Sequence, residues 1–390
     1  MRLFSTLKGV GLLYRKSRWP SFLASAYAFQ AWVRRTYAYH RPLLALLLTL
    51  GLLSSTMSRP TDERFATGLN QPRGMAFDED GNLLVAEAGV VGASALGDAP
   101  ILSNISGRVV RIAPSGQATE VLNGLPHTHY RDSGIAVGAA DVVMLDGTLY
   151  VLTGEGYEPL SRAILLNTTA GPRLVASILN FSMSRSSLGQ MIGPNAIPAN
   201  PYAMVVAPDA RALYIADGAA GRVLRVTLDG HIDVFAEVPK LVPLTGLAFG
   251  PDRKLYLTEF GGLPHSPGSG AIWTADPSGK LEIVASGLTM PIDVGFDAAG
   301  TMYVLEFGDG RNPARPYPAH RGRLLRIEQN GTQVVVREGL NYPTAMVFSE
   351  AGDLFLAVNG AFTRRQQGMI LKIPCGMLGT QEGCPRQFMQ

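Results

Sequence analysis

Beyond residue 56 the chain consists of short apolar runs separated by turns rich in Gly, Pro, Asp and Asn. The turns include "DEDG", "PDAR" and "DAAG", which are typical of tight connections between strands. No apolar pattern of period 3.6 and helical length follows residue 56. The pattern therefore predicts an all-β fold built from short strands.

One type of strand recurs, an apolar run that stops at a polar residue and then breaks, as in "LLVAEAG", "LYIADG", "LYLTEFGG" and "MYVLEFGDG". The residues that open its six copies are Leu83, Leu149, Leu213, Leu255, Met302 and Leu354. This run is the second strand of each repeat, and an apolar first strand such as "PRGMAF" precedes it. Two more strands follow it, a third such as "GRVLRV" and a fourth such as "HIDVFAEV". Four short strands repeated six times predict a six-bladed β-propeller.

The last copy lacks a fourth strand, and a matching phrase, "ERFATGL" (63–69), stands before the first copy. We expect this N-terminal strand to complete the last blade, because closure of the ring leaves no open sheet edge. The propeller domain then covers residues 62–376, and a tail covers 377–390. Two cysteines, Cys375 and Cys384, either pair near the C-terminus or remain free thiols on a frayed tail.

Residues 1–56 differ in composition from the rest, with eight Lys/Arg and no acid. They include the largely apolar run "PLLALLLTLGLL" (42–53), which is short for a membrane span of roughly 20 residues. The order of basic, apolar and small residues predicts an N-terminal hydrophobic export segment, with an uncleaved membrane anchor as the alternative. We therefore expect an exported protein, periplasmic or extracellular, that contacts a membrane only through this segment if it is retained.

The charge balance changes once that segment is set aside. The whole chain has a net charge of +3, but residues 57–390 hold 26 basic and 31 acidic side chains. A mildly acidic body argues against a nucleic-acid partner. With 46% hydrophobic and 17% charged residues, the chain is apolar enough to bury a large core.

Acidic residues recur at two positions of the repeat. The last residue of strand two is, in blade order, Glu87, Thr153, Asp217, Glu259, Glu306 and Val358. The third residue of strand one is, in blade order, Gly74, Asp141, Ala203, Gly246, Asp293 and Ala345. In a propeller the start of strand one and the end of strand two lie at the same end of the central channel. The sequence therefore predicts an acidic mouth at that end.

Carboxylates that converge repel one another, and a cation or a raised pKa relieves the repulsion. A divalent cation, either Ca²⁺ or a transition metal, is the expected cofactor of such a site. The predicted metal ligands are Asp141, Asp293, Glu87, Glu259 and Glu306. The predicted catalytic residues are Asp141, Asp293, Glu306 and His129. Three further histidines, His127, His265 and His320, are also expected in loops on this face.

The same acids have an alternative, structural role. A strand-end acid followed by glycine can accept hydrogen bonds from the backbone of its own loop. Candidate ion-pair partners between blades are the second arginines of the "GRxxR" segments, Arg111, Arg225 and Arg326. Asp141 and Asp293 lie inside apolar strands with fewer local partners, so they are the stronger functional candidates.

Four stretches in series carry a family resemblance: "GLNQPRGMAFDEDGNLLVAEAG", "GAADVVMLDGTLYVLTGEG", "NPYAMVVAPDARALYIADG" and "GLTMPIDVGFDAAGTMYVLEFGDG". They resemble the ScyD/ScyE family, whose founding members belong to the scytonemin pigment cluster of cyanobacteria, over nearly all of residues 62–376. The chain is more distantly similar to NHL-repeat, strictosidine synthase and senescence-marker/gluconolactonase propellers. The resemblance implies export and a propeller fold. It implies no particular reaction, because the chemistry of the family is poorly defined.

Two functions fit these observations. The first is an exported enzyme that binds and transforms a small organic substrate at the acidic mouth, by metal-dependent hydrolysis, by a lyase or condensation reaction, or by oxidative coupling. The second is a non-catalytic, NHL-like binding or scaffold propeller with at most a structural metal. The fold by itself does not decide between them.

Overall fold

The computed structural model describes residues 63–90, 100–185, 199–240, 242–311, 317–379 and 384. The predicted export segment, residues 1–56, lies outside the described residues, as does most of the tail after residue 379. In the part of the chain that is described, no helix has the length and apolar character needed to cross a membrane.

The described strands form six antiparallel sheets, one for each predicted blade. Blade one contains β2 (Pro72–Phe77), β3 (Leu83–Glu87), β4 (Ile101–Ile112), β5 (Ala118–Tyr130) and β6 (Ile135–Val137). Blade two contains β7 (Ala139–Leu145), β8 (Thr148–Thr153), β9 (Ala163–Thr168) and β10 (Gly171–Ser177). Blade three contains β11 (Pro201–Val206), β12 (Ala212–Asp217), β13 (Arg222–Thr227) and β14 (Ile232–Glu237).

The second half of the ring repeats this plan. Blade four contains β15 (Leu244–Phe249), β16 (Leu255–Glu259), β17 (Gly270–Ala275) and β18 (Leu281–Leu288). Blade five contains β19 (Pro291–Phe296), β20 (Met302–Glu306), β21 (Gly322–Ile327) and β22 (Gln333–Leu340). Blade six contains β23 (Ala345–Phe348), β24 (Leu354–Val358), β25 (Gly368–Ile373) and β1 (Glu63–Leu69). One short helix, α1 (Ile178–Ser184), and a 3₁₀ turn, Cys375–Met377, complete the described elements.

The ring is closed by the N-terminal strand, as the sequence predicted. Strand β1 pairs antiparallel with β25, with Glu63 opposite Lys372 and Leu69 opposite Gly368. The innermost strands contact one another in the order β2, β7, β11, β15, β19 and β23, and β23 contacts β2. The all-β, six-bladed propeller with N-terminal closure is therefore confirmed.

The core lies between neighbouring blades, because each sheet buries both of its faces. Every residue of β3 and of β24 is buried, which explains why these strands are continuous apolar runs. Leu83 and Val110 of blade one pack with Phe355 and Ile370 of blade six. The outermost strand β22 instead has a mostly exposed or half-buried pattern, which agrees with its place at the rim.

The turns between strands one and two use an aspartate as a local acceptor. Asp78 Oδ1 accepts the backbone N–H groups of Asp80, at 3.1 Å, and of Asn82, at 2.8 Å. Gly81 has φ of 77°, a left-handed conformation that glycine adopts without strain. These bonds explain why "DEDG" directs the chain straight back as strand two.

The C-terminal tail is tied to the ring. A disulfide joins Cys375 and Cys384, so the paired alternative applies. The Cys375 N–H donates to Asp353 Oδ1 at 3.0 Å, and Arg326 Nη1 donates to the Leu378 carbonyl at 2.9 Å. The described end of the chain is therefore held against blades five and six.

Candidate functional site

Three strand-end acids are buried ion-pair partners within their own blades. Glu87, Asp217 and Glu306 each have no exposed surface. Each forms an ion pair with the arginine directly opposite on strand three, respectively Arg108, Arg222 and Arg323. Each also accepts a backbone N–H from the loop that enters the blade, respectively from Asn70 at 2.6 Å, Asn200 at 2.8 Å and Thr289 at 2.6 Å. These acids therefore fasten the entering loop to strands two and three.

The partner is the first arginine of each "GRxxR" segment, whereas the sequence pattern favoured the second. Of those second arginines, Arg111 pairs with the turn residue Asp78 at 3.0 Å, and Arg326 pairs with Glu328 at 2.6 Å. The cross-strand register decides this, because the first residue after the glycine lies opposite the strand-end acid. The interpretation of the second arginines as partners of the strand-end acids is thus corrected.

The remaining blades fill the strand-end position differently. Glu259 is 1% exposed, accepts the Trp273 indole N–H at 2.8 Å and pairs with Lys240 at 2.6 Å. In blade two Thr153 accepts the Ala163 N–H at 3.0 Å and is fully buried. The position thus serves blade cohesion whether it holds a charged or a neutral group.

Asp141 and Asp293 differ from the strand-end acids because they line the central channel. One oxygen of each accepts the N–H of the following residue, Val142 at 2.8 Å or Val294 at 2.9 Å. The other oxygen reaches the inner strand of the next blade, where it accepts the N–H of Met204 at 2.7 Å or of Met346 at 2.8 Å. Both carboxyl groups therefore connect blades and are held rigidly in the channel wall.

A glycine in the preceding blade makes room for each of these aspartates. A Cβ on Gly74 would overlap the Asp141 carboxyl group and its Cα, and a Cβ on Gly246 would overlap Asp293 in the same way. At this aligned position the chain reads Gly–Asp–Ala in blades one to three and again in blades four to six. The two aspartates are three blades apart, so they occupy opposite sides of the channel.

Burial changes the acidity of these groups. It raises the pKa of Asp141 to about 8, against the opposing effect of the two backbone N–H donors, and the charge of Asp293 raises it further. Burial likewise raises the pKa of Asp293 to about 7. Burial also raises the pKa of Tyr202 to about 12, although the nearby Arg73 lowers it. The channel therefore holds two carboxyl groups that titrate close to neutral pH.

The five carboxylates predicted as metal ligands are not brought together. Asp141 and Asp293 lie in the channel wall, whereas Glu87, Glu259 and Glu306 are buried beside their own basic partners. Among the described residues no group of three or more His, Cys, Asp or Glu side chains is placed to hold a metal ion. The described side chains thus do not bring the predicted donor set together at one site.

The channel contains a cavity of about 840 Å³. At the end remote from the strand-two ends, the last residues of four inner strands line the cavity: Phe77, Phe249, Phe296 and Phe348. Arg253, in the turn after β15, lines the same end. Polar side chains lie nearer the strand-two end, among them Arg73, Tyr202 and Thr245. The cavity thus has polar side chains in its middle, and four phenylalanines together with one arginine at the end remote from the strand-two ends.

At the strand-two end the wall of blades four to six is aromatic. Phe260, Phe307, Tyr317 and Phe362 line the cavity there together with His265. Tyr317 stacks on Phe362 with ring centroids 5.4 Å apart and an angle of 22° between the planes. Phe307 meets Tyr317 edge to face at 5.8 Å. This mouth therefore presents ring faces and edges suited to a flat apolar ligand.

The predicted loop histidines fall in different places. His127 and His129 lie in β5, which extends further than expected, and His320 is exposed. His127 is fully buried with its Nδ1 2.8 Å from the Ala88 carbonyl, and burial lowers its pKa to about 4. Burial also lowers the pKa of His129. Of the four, the described cavity lining includes His265 alone.

One further residue of the cavity wall, Glu155, was not singled out from the sequence. It is 8% exposed, its Oε2 atom has no hydrogen-bond partner, and burial raises its pKa although Arg162 opposes the shift. The equivalent residues of the other blades are Gly89, Ala219, Gly261, Gly308 and Gly360. Glu155 is the one acid at a position where the other five blades have glycine or alanine, and this difference could have identified it from the sequence.

Comparisons of the sequence with protein-family models and with curated proteins find no match. Among solved structures, the chain is similar to a structural-genomics protein of unknown function from Bacteroides thetaiotaomicron, with 12% identity, 80% of this chain and 72% of that chain covered, and a TM-score of 0.52. It is also similar to a gluconolactonase from Xanthomonas campestris, with 16% identity, 80% and 88% covered, and a TM-score of 0.50. A virginiamycin B lyase from Staphylococcus aureus has 16% identity, 78% and 84% coverage, and a TM-score of 0.45.

At these identities the similarity shows a shared fold, and it does not assign a functional role to any residue of this chain. By its six closed blades, this chain is a β-propeller.

Proposed function

We propose that the protein is an exported propeller of the ScyD/ScyE type that binds and transforms a small aromatic molecule in its central channel. The observation that carries the proposal is the cavity itself. It combines an aromatic mouth with two rigidly held carboxyl groups that titrate near neutral pH.

The size and lining of the cavity support the binding of a small organic molecule. A volume of about 840 Å³ falls within the range of roughly 300–1,000 Å³ that is usual for ligand pockets. Phe260, Phe307 and Phe362 provide apolar ring surface, and aromatic contacts favour a ligand that is itself aromatic. Arg73, from blade one, adds a positive charge to the cavity lining, which favours a ligand with an anionic or carbonyl group.

Asp141 and Asp293 are the proposed acid–base groups. A group that titrates near the working pH is effective in both donating and accepting a proton. Their backbone hydrogen bonds, 2.7–2.9 Å long, fix the carboxyl groups in place, so a bound ligand meets them in one geometry. Glu306 and His129, also predicted as catalytic, are absent from the described cavity lining, and the proposal does not use them.

Export remains part of the proposal, and two features support it. The basic and apolar residues 1–56 have the order of an export segment. The Cys375–Cys384 disulfide suits an oxidising compartment.

The test is a binding and turnover screen on the purified full-length chain. The panel contains phenols, aromatic keto acids and aromatic lactones, each with an aliphatic counterpart of similar size. We expect the aromatic members to bind more tightly, and Phe307→Leu to weaken binding about tenfold, since ring contacts contribute roughly 0.5–1.5 kcal/mol beyond the buried area. Phe65→Leu, on the closing strand, is the matched control.

Product analysis by mass spectrometry completes the test. We expect at least one bound compound to be converted, and the Asp141→Asn/Asp293→Asn variant to bind it without converting it. If no aromatic compound binds, the proposal is wrong. If compounds bind but none is converted, the protein is the non-catalytic binding propeller of the alternative hypothesis.

A further inference from the structure

Two residues of the aromatic mouth are hydrogen-bonded to each other across neighbouring blades. His265 lies in the loop between β16 and β17, and Tyr317 lies in the loop between β20 and β21. His265 Nε2 is 3.0 Å from the Tyr317 hydroxyl, and His265 Nδ1 is 3.1 Å from the Gly261 carbonyl. Both side chains line the cavity.

The partners of the ring determine where its proton lies. A carbonyl oxygen can only accept, so His265 Nδ1 carries the proton that is donated to Gly261. Burial lowers the pKa of His265, so the imidazole is neutral and its Nε2 atom has a free lone pair. The Tyr317 hydroxyl must therefore donate to Nε2.

This arrangement leaves the Tyr317 oxygen as an acceptor toward a ligand. Its only proton is engaged by His265, so the remaining hydrogen-bonding capacity of the hydroxyl is its lone pairs. Burial lowers the pKa of His265, and the hydrogen bond to the Gly261 carbonyl opposes this shift. Burial raises the pKa of Tyr317.

We propose that Tyr317 and His265 form a proton-accepting pair at the mouth, which takes a proton from an aromatic ligand that bears an acidic O–H or N–H group. The ligand proton moves to the Tyr317 oxygen while the Tyr317 proton moves to His265 Nε2. The electron pair of the broken O–H or N–H bond remains on the ligand, which becomes an anion. The imidazolium that results keeps its Nδ1–H bond to the Gly261 carbonyl.

The surroundings fit a ligand of this class. The His265 ring meets Phe260 edge to face at 5.1 Å, and Phe362 stacks on Tyr317 at 5.4 Å. An anion formed beside an imidazolium in such an apolar wall is stabilised by their attraction more than it would be in water. In this pair Tyr317 is the catalytic residue and His265 is the positioning residue that receives its proton. The inference rests on the proposed function, because the ligand is the aromatic molecule that the cavity binds.

The test uses 4-nitrophenol, whose visible absorbance distinguishes the bound phenol from the bound phenolate. We expect the apparent pKa of the bound probe to lie about 1 unit or more below its value in water, because an opposite charge within about 4–6 Å favours the ionised form. Tyr317→Phe should bind the probe but lose this downward shift. His265→Gln should lose it as well, because no group remains to receive the proton.

Tyr342→Phe is the matched control. The Tyr342 ring packs on Phe307 at 5.9 Å and on Phe362 at 5.2 Å, and its hydroxyl donates to the Tyr317 carbonyl oxygen at 3.4 Å. It belongs to the same aromatic cluster without taking part in the pair. We expect this variant to keep the shift, with thermal unfolding used to confirm that all three variants are folded.

A second readout needs no ligand. Nitrogen NMR of the His265 ring should show the tautomer with the proton on Nδ1. The inference is overturned if the ring carries its proton on Nε2, or if Tyr317→Phe binds 4-nitrophenol with the same downward shift as the natural chain. If the natural chain binds neither 4-nitrophenol nor any other aromatic compound, the proposed function itself fails, and the two failures are thereby distinguished.

Discussion

At the scale of single residues, Asp141 and Asp293 combine two roles that usually fall to different side chains. Each joins its blade to the next through a backbone N–H, and each remains a titratable group in the channel wall. Burial makes the charged form of each carboxyl group less favourable and therefore raises its pKa. Stability and acidity at these positions are therefore linked.

This linkage predicts the pH dependence of folding. Unfolded aspartates have a pKa near 3.8, whereas the pKa of folded Asp141 is about 8 and that of folded Asp293 is about 7. Between those limits the folded state binds more protons than the unfolded state, so the free energy of unfolding falls as the pH rises from about 4 to about 8. The slope contributed by each group is at most about 1.4 kcal/mol per pH unit.

Urea unfolding at a series of pH values measures the slope. The Asp141→Asn/Asp293→Asn variant cannot titrate at these positions and should show a clearly shallower decline between pH 5 and pH 8. Asp209→Asn, at an exposed turn, should leave the slope unchanged. Equal slopes in the natural chain and the double variant would show that these carboxyl groups have ordinary acidity.

The sequence revealed the positions of these aspartates but only part of their environment. The sequence showed Asp141 and Asp293 as acids inside apolar strands, which singled them out as candidates. What it could not show is that Gly74 and Gly246 provide the space that the carboxyl groups fill. That contact joins residues of different blades, and it depends on how the blades pack.

At the scale of elements, the strand-end acids illustrate a limit of reasoning from one repeat. Their recurrence was correctly located at the end of strand two, but convergence on a single mouth did not follow. The side chain of Glu306 turns toward Arg323 on the adjacent strand and toward the loop that enters its blade. Strand two lies behind the inner strand that lines the channel, and both of its faces pack within the ring. A one-dimensional alignment of the repeats does not show this packing.

The same arrangement predicts how blade five depends on its ion pair. Arg323→Leu leaves Glu306, which has no exposed surface, without a counter-charge. We expect a loss of about 3 kcal/mol in the free energy of unfolding, as is typical when one partner of a buried pair is removed. Chemical denaturation provides the measurement.

Two further variants identify the cause of that loss. Arg321→Leu removes an arginine that is 55% exposed and lies 3.6 Å from Asp309, and it should change stability by less than about 0.5 kcal/mol. Adding Glu306→Gln to Arg323→Leu should recover part of the loss, because no buried charge then remains. A double variant no more stable than Arg323→Leu would argue that packing of the arginine stem, rather than its charge, stabilises the blade.

At the scale of the whole molecule, the mouth is a product of ring closure. Phe260, Phe307 and Phe362 follow strand two in blades four, five and six, whereas Glu155 and Arg73 come from blades two and one. Residues separated by more than 200 positions in the sequence therefore face one cavity. The repeat pattern predicted that these loops share a face, but only the closed ring shows that the aromatic residues gather on one side of it.

Closure itself depends on a single strand pair, and this gives a prediction for local stability. Leu69 of β1 is 2% exposed and packs in the core between blades one and six. Leu69→Ala should lower the free energy of unfolding by about 2–5 kcal/mol. It should also weaken the pairing of β1 with β25, so amide hydrogen exchange should accelerate in both strands more than in β14, the outermost strand of blade three.

Thr67→Ala, at an exposed position of β1, is the control and should leave exchange unchanged. If exchange accelerates equally in β14 and β25, the ring opens only by global unfolding, and the β1–β25 pair does not open separately.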